Sequence, residues 1–322
     1  MLQSYPLFRS RNMDEVKAQF LVRGQDSRME LAGRRPRGEF VANAARAQDA
    51  TLLYTRYDNP ITMGFDASSN IHLGYQVHEV SQVVLEGKAI ENGIHHTGCL
   101  VPDQQPWSVQ NPNGFQVLLL RLGTDALQRK LAAFLGAERA TLDLRQPAMA
   151  DPGRAAKLRT SVFNFARELE VADRRFLPQL AATATEEICL GVLTNLSEHV
   201  VAAERTPAGP SALQLGQVEQ YIVANFARPL TVETLAEISG VSGRSVFSHF
   251  LSRYGCTPHA YLERIRLDMA HFSLPGCEDQ NAVTFLALQC GFPSLASFER
   301  AYRDRFGRPP TLPPAARYRA GR

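Results

Sequence analysis

Residues Glu233–Gly255 have the sequence ETLAEISGVSGRSVFSHFLSRYG. Thr231 precedes it and can cap a helix with its hydroxyl. Gly240 supplies a turn residue with positive φ, and Ala236 is small enough to let two helices cross closely. A second helix is predicted from Gly243, with apolar residues at a spacing of four, namely Val246, Phe250 and Tyr254. Two short helices joined by such a turn form a helix-turn-helix.

The pattern returns in TFLALQCGFPSLASFERAYRDRFG, residues 284–307. The residues that repeat Ala236, Gly240 and Val241 lie 51 positions later, at Ala287, Gly291 and Phe292. Those that repeat Val246, Phe250, Tyr254 and Gly255 lie 52 positions later, at Phe298, Tyr302, Phe306 and Gly307. One extra residue in the second turn accounts for the change of offset. Two copies with matched core and stop residues predict two helix-turn-helix units.

A connecting helix is predicted between the copies, in TPHAYLERIRLDMAHFSL, residues 257–274. Pro258 suits its first turn. About 15 residues rising about 1.5 Å each give a rod of about 22 Å. Such a rod can hold two recognition helices on one side of a duplex, toward successive major grooves about 34 Å apart.

Residues from about 213 to 318 resemble the DNA-binding domain of the AraC family of transcription regulators. The resemblance is carried by LAEISGVSGRSVFSHF, ERIRLDMA and ALQCGF…SFERAYRDRFGRPP. It implies seven helices, two recognition helices, binding to double-stranded promoter DNA and activation with RNA polymerase. The region from Ile71 to about Gly136 is similar to the cupin-like regulatory half of the same family, nearest the branch with benzoate and toluate catabolism activators.

The predicted recognition helices supply the candidate DNA contacts. In the first helix these are Arg244, Ser245, Phe247, Ser248 and His249. Phe247 follows a core position, so it is either extra core or a contact to a thymine methyl. In the second helix the candidates are Leu295, Ser297, Glu299, Arg300 and Arg303. Arg244 and Arg300 are the best candidates for contact with guanine, because a guanidinium can donate hydrogen bonds to both O6 and N7 of that base.

The fold class expected is α+β in two domains. Up to about residue 123, short runs rich in β-branched and aromatic residues alternate with turn signals, which predicts a cupin-like β-barrel. Helical periodicity follows over 124–200, so we expect residues 1–202 to form a regulatory or dimerisation domain with helices packed on the barrel. The segment AERTPAGPSA, residues 203–212, is the expected linker, and 213–322 the DNA-binding domain.

Composition fits a cytoplasmic DNA-binding protein. Residues 211–322 contain twelve arginines, no lysine and nine acidic residues, so they carry all of the chain's net charge of +3. No apolar run is long enough to span a membrane, and the N-terminus lacks the apolar core of a signal peptide. Five scattered cysteines indicate reduced thiols.

Histidines in the N-terminal part raise the question of a metal-dependent cupin enzyme. His95 and His96 are adjacent and would face opposite sides of a strand, and no His-x-His occurs, so we expect no metal, cofactor or catalytic site. A small-molecule pocket in the barrel is preferred. If the effector is an aromatic carboxylate, the candidates for its charge are Arg46, Arg56, His72 and His95.

Three hypotheses remain. The leading one is a transcription activator whose N-terminal domain senses an effector or forms a homodimer. The second is a ligand-independent regulator controlled by its expression or by a partner protein. The third is a cupin-type metalloenzyme fused to a DNA-binding module.

Overall fold

A computed structural model describes residues 1–22, 27–31, 38–92, 99–101, 105–137, 141–142, 152–195, 200–201, 212–277 and 279–310. The chain forms two compact units. The first, the β unit, comprises Met1–Ala132, Glu138–Glu170 and Glu187–Glu204. The second, the helical unit, comprises Ala133–Ala137, Val171–Glu186 and Arg205–Arg322. This arrangement confirms the predicted α+β fold, with strands in the N-terminal part and a helical C-terminal part.

The β unit contains two antiparallel sheets. The six-stranded sheet has the order β1 (Pro6–Ser10), β3 (Phe40–Ala47), β4 (Ala50–Tyr57), β11 (Phe115–Gly123), β6 (Asn70–His78) and β9 (Cys99–Val101). The five-stranded sheet has the order β2 (Ser27–Leu31), β5 (Ile61–Phe65), β10 (Trp107–Asn111), β7 (Ser81–Leu85) and β8 (Lys88–Asn92). A two-stranded pair joins β12 (Thr141–Leu142) to β13 (Val200–Val201).

The apolar core of the β unit joins both sheets to a helix. Helix α1 (Met13–Val22) buries Met13, Val16 and Phe20 in one cluster with strand residues such as Phe40 and Phe115. Sequence periodicity did not predict this helix, because it stands within a region of strand-like runs. The strands Ala50–Tyr57, Ile61–Phe65 and Asn70–His78 lie within the region up to residue 123 where short β-branched and aromatic runs predicted strands.

Three longer helices follow the strands in sequence. They are α2 (Thr124–Leu135), α3 (Pro152–Val171) and α4 (Leu177–Asn195). Gly136 ends α2 with a φ of 67°, which is the left-handed conformation expected of a stop glycine. Proline is the first residue of α3 and the second of α4, where its missing N–H costs no helical hydrogen bond.

The helical unit carries the doubled motif on six helices within 212–277 and 279–310. These are α5 (Ala212–Ala224), α6 (Val232–Ser239), α7 (Gly243–Tyr254), α8 (Pro258–Ser273), α9 (Gln280–Gln289) and α10 (Leu295–Phe306). The proline-rich segment of residues 311–322, in which the last of the seven implied helices was expected, lies outside the described residues.

Candidate nucleic-acid interface and barrel cavity

The first helix-turn-helix consists of α6 and α7. The Thr231 side-chain oxygen accepts a hydrogen bond from the Thr234 amide at 3.2 Å, which caps α6 as predicted. Gly240 has a φ of 64°, and its amide donates to the Ala236 carbonyl at 2.9 Å. The Ser239 hydroxyl, buried in the corner, donates to the Leu235 carbonyl at 2.7 Å. The turn therefore satisfies its own backbone groups.

Helix α7 is fixed at both ends and along one side. The Ser242 hydroxyl accepts from the Ser245 amide at 3.2 Å and caps the helix. Val246 and Phe250 are fully buried, and Gly255 ends the helix with a φ of 66°. The predicted buried side of the helix and its stop residue are thus confirmed.

The second helix-turn-helix, α9 and α10, repeats these features. Gly291 has a φ of 89°, and the Ser294 hydroxyl caps α10 by accepting from the Ser297 amide at 3.1 Å. Pro293 is the extra residue of the second turn. Phe298 and Tyr302 are buried, and Gly307 ends α10 with a φ of 68°.

An internal arginine ties the connecting helix α8 to the chain before the first motif. Arg266 is only 5% exposed, and its guanidinium donates to the carbonyls of Phe226 at 2.7 Å and Arg228 at 2.8 Å. Burial lowers the pKa of Arg266 to about 10. Sequence reasoning missed this residue. A signal existed, because Arg266 stands four residues from both Leu262 and Ala270 on the buried side of α8.

The predicted contacts on α7 fall into two groups. Arg244 and Ser248 are exposed. The Ser245 hydroxyl lies 2.9 Å from that of Ser242, and the His249 Nε2 lies 3.2 Å from the Glu219 Oε1 on α5. Of the predicted contacts on α7, Arg244 and Ser248 are therefore the ones whose side chains are exposed to an external partner.

Phe247 lies in an apolar environment within the helical unit. Its ring meets Phe134 edge-on, with ring centroids 5.6 Å apart, and lies 5.9 Å from His259. It also packs against the buried cluster of the first helix-turn-helix. These contacts favour a packing role for Phe247 over contact with a thymine methyl.

On α10 the predicted contacts are again divided. Leu295 packs against the buried cluster of the second helix-turn-helix, and Ser297 and Glu299 are half-buried. Arg300 and Arg303 are exposed. Further along the helix, the Arg305 Nη2 lies 2.6 Å from the Asp268 Oδ1 on α8, so this arginine binds within the protein.

The two sheets of the β unit enclose a small cavity. Its volume is about 60 Å³, several times what a single water requires. Most of its wall is apolar and aromatic, including Phe65, Met63, Trp107 and Phe115. His72 also lines it, and burial and the charge of Arg121 lower the pKa of that imidazole to about 4. His72 is therefore neutral at pH 7.

The candidate effector residues do not all face this cavity. Arg46 on β3 stands opposite Thr51 of β4, but it is exposed and is not among the lining residues. Arg56 lies on the opposite side of β4 from the lining residues Leu53 and Thr55. His95 lies outside the described residues.

The described residues contain neither a metal-binding cluster nor a membrane-spanning helix. Among these residues no group of three or more His, Cys, Asp or Glu side chains is arranged to hold a metal ion. No helix among them has the length and apolarity needed to cross a bilayer.

Comparison with known proteins places the chain in a family. Residues 235–312 match the model of a helix-turn-helix domain. The chain is 30% identical over 128 residues to the XylDLEGF operon transcriptional activator 2 of Pseudomonas putida. The aligned region covers 39% of this chain and 80% of that protein. The chain is also 31% identical over 99 residues to the probable transcriptional regulator LumQ of Photobacterium leiognathi. This aligned region covers 31% of the chain and 39% of LumQ.

One solved structure is also similar in sequence to part of the chain. It is the crystal structure of a probable AraC family transcriptional regulator from Rhodopseudomonas palustris CGA009, 42% identical, covering 31% of this chain and 92% of that chain with a TM-score of 0.29. This chain spans only about two fifths of the length of LumQ. The sequence matches across most of the activator 2 protein and the doubled helix-turn-helix show that the chain belongs to the AraC family of transcriptional regulators.

Proposed function

We propose that this protein is a sequence-specific transcription regulator, an activator, that binds double-stranded promoter DNA through α7 and α10. The observation that carries the proposal is the pair of capped helix-turn-helix units joined by the single helix α8. Sixteen residues at about 1.5 Å rise make α8 about 24 Å long. That length suits the presentation of two recognition helices to neighbouring major grooves.

Roles for the side chains follow from their exposure. Arg244 on α7 and Arg300 on α10 are the proposed base readers, since a guanidinium matches the acceptors of guanine. Ser248 and Arg303 are proposed to bind bases or phosphates from the same exposed sides. The positively charged C-terminal part, with seven arginines and one aspartate from Arg300 onward, adds attraction to the phosphate backbone.

We assign regulation to the β unit. Its cavity is the proposed effector site, and its helices are the proposed surface for a homodimer. When bound to its promoter, the cytoplasmic regulator recruits RNA polymerase. No catalytic step is proposed.

The test is DNA selection followed by a binding measurement. DNA fragments selected by the purified protein from a random pool give the operator. We expect Arg244→Ala to lower operator affinity roughly 5- to 150-fold, because a bidentate guanine contact contributes about 1–3 kcal/mol. Its melting temperature should stay close to that of the wild type, since Arg244 is exposed.

The matched control is Lys157→Ala, which removes an exposed positive charge from α3. It should bind the operator like the wild type. If Arg244→Ala also bound normally in the same shift assay, α7 would not be the reading helix.

A further inference from the structure

Helix α7 exposes a large apolar side chain near its C-terminal end. Leu251 is 62% exposed, whereas its neighbour Phe250 is fully buried. The Leu251 carbonyl accepts a hydrogen bond from the Gly255 amide at 3.0 Å, so the residue belongs to the regular last turn of the helix. Single exposed apolar residues are ordinary on protein surfaces. The position of Leu251, and not its exposure alone, therefore indicates its role.

Leu251 lies on the same face of α7 as the two exposed candidate DNA contacts. A helix turns about 100° per residue, so Ser248 stands about 40° from Arg244 around the axis, and Leu251 about 20° from it on the other side. The core residues Val246 and Phe250 point away, at about 200° and 240°. The row from Arg244 to Leu251 is about 10 Å long, which equals about three base pairs. Leu251 therefore faces any duplex that Arg244 and Ser248 contact.

The repeat of the motif assigns the same face to Leu251. Residues of the second recognition helix lie 52 positions after their counterparts in the first. Ser248 and Leu251 therefore correspond to Arg300 and Arg303 on α10, and both of these arginines are exposed. They are the proposed DNA contacts of α10. Leu251 thus occupies a position that faces DNA in the other copy.

The chemistry of leucine limits what its side chain can bind there. It neither donates nor accepts hydrogen bonds, so it cannot bind phosphate oxygens or the polar edges of bases. Among the four standard bases, only thymine presents an apolar group in the major groove, its C5 methyl. The sequence left this contact open for Phe247, whose ring packs against Phe134. Leu251 is free of such burial and lies on the exposed face.

We infer that Leu251 is a further specificity-determining residue and contacts the C5 methyl of one thymine in the operator. This role rests on the proposed function, since it requires α7 to lie in the major groove. The contact favours thymine over cytosine, because cytosine lacks the methyl group. We expect the selected operator to have a thymine within about three base pairs of the guanine that Arg244 contacts.

Single thymine-to-uracil replacements in a synthetic operator test this contact, because each removes one methyl group and keeps the base pair. Binding of the full-length protein to each duplex is measured by fluorescence anisotropy. We expect one replacement near the Arg244 guanine to weaken wild-type binding about three- to fivefold, the effect of one buried methyl group. Leu251→Ala should weaken binding to the unmodified operator by a similar or larger factor, and should bind the unmodified and uracil duplexes equally.

Val223→Ala is the matched control, because Val223 is another exposed apolar residue of the helical unit, on α5. It should keep the wild-type difference between the unmodified and uracil duplexes. Both variants should melt close to the wild type, since both side chains are exposed.

Unchanged sensitivity to uracil in Leu251→Ala would overturn the inference, and so would a wild type that is insensitive to every replacement. Normal operator binding by Leu251→Ala with a loss of transcription activation would also overturn it, and would indicate a protein partner on this face. Arg244→Ala, measured in parallel on the unmodified operator, separates these results from a failure of the proposed function. Normal binding by Arg244→Ala as well would mean that α7 does not enter the groove at all.

Discussion

Replacing Arg266 with methionine is expected to lower the free energy of unfolding of the helical unit by about 2–4 kcal/mol. Methionine fills much of the volume of the arginine stem but donates no hydrogen bond. The carbonyls of Phe226 and Arg228 would then lose their donors at 2.7 and 2.8 Å. A hydrogen bond from a charged group contributes about 1.5–3 kcal/mol, and a carbonyl left without a partner in a partly buried site adds to the loss.

Urea unfolding of the full-length protein, followed by circular dichroism at a helical wavelength, measures this change. Arg264→Met is the matched control, since Arg264 is an exposed arginine on the same helix. It should change stability by no more than about 0.5 kcal/mol. Equal unfolding curves for the two variants would show that Arg266 does not fix α8 to the chain before α6.

Replacing Gly291 with alanine is expected to destabilise the second helix-turn-helix by about 3 kcal/mol or more. A Cβ atom at this position would lie 2.9 Å from the Ala227 carbonyl oxygen and 2.8 Å from the Arg266 Nε. The first neighbour is backbone, and the second is held by its own hydrogen bonds, so neither moves easily. Overpacking costs about 1–3 kcal/mol, and the φ of 89° adds about 1–2 kcal/mol for a residue with a side chain.

The control for Gly291→Ala is Gly307→Ala. Gly307 also has a positive φ, of 68°, but a Cβ there would meet no atom within 4 Å. It should therefore cost only the backbone strain of about 1–2 kcal/mol. The difference in melting temperature between the two variants measures the destabilisation that the steric clash at residue 291 causes. If both variants melted at the same temperature, the close approach of Gly291 to Ala227 would have no energetic consequence.

The features that the sequence made predictable are local ones. The caps at Thr231 and the turn at Gly240 depend on residues three to four positions apart, and such patterns are visible in a single sequence. The repeat of the motif strengthened the prediction, because Gly291 and Gly307 stand at the matching positions. The same reasoning located Arg244 and Arg300 on the exposed sides of their helices.

The features that the sequence did not make predictable depend on contacts between distant segments. Helix α1 is a core element only because the two sheets meet around Phe20. The neighbours of Arg121 depend on strand register, which places it between Thr51 and His72 across three strands. Phe247 was left between two roles, and its contact with Phe134, more than a hundred residues away, favours packing.

We propose that α7 and α10 bind in two neighbouring major grooves on one side of the DNA. Methylation interference on the selected operator tests it most directly, because methylation blocks guanine N7 in the major groove. We expect two groups of interfering guanines, centred about 10 base pairs apart on the same side of the duplex. Arg244→Ala should remove one group and Arg300→Ala the other. A single group, or the loss of the same group in both variants, would contradict it.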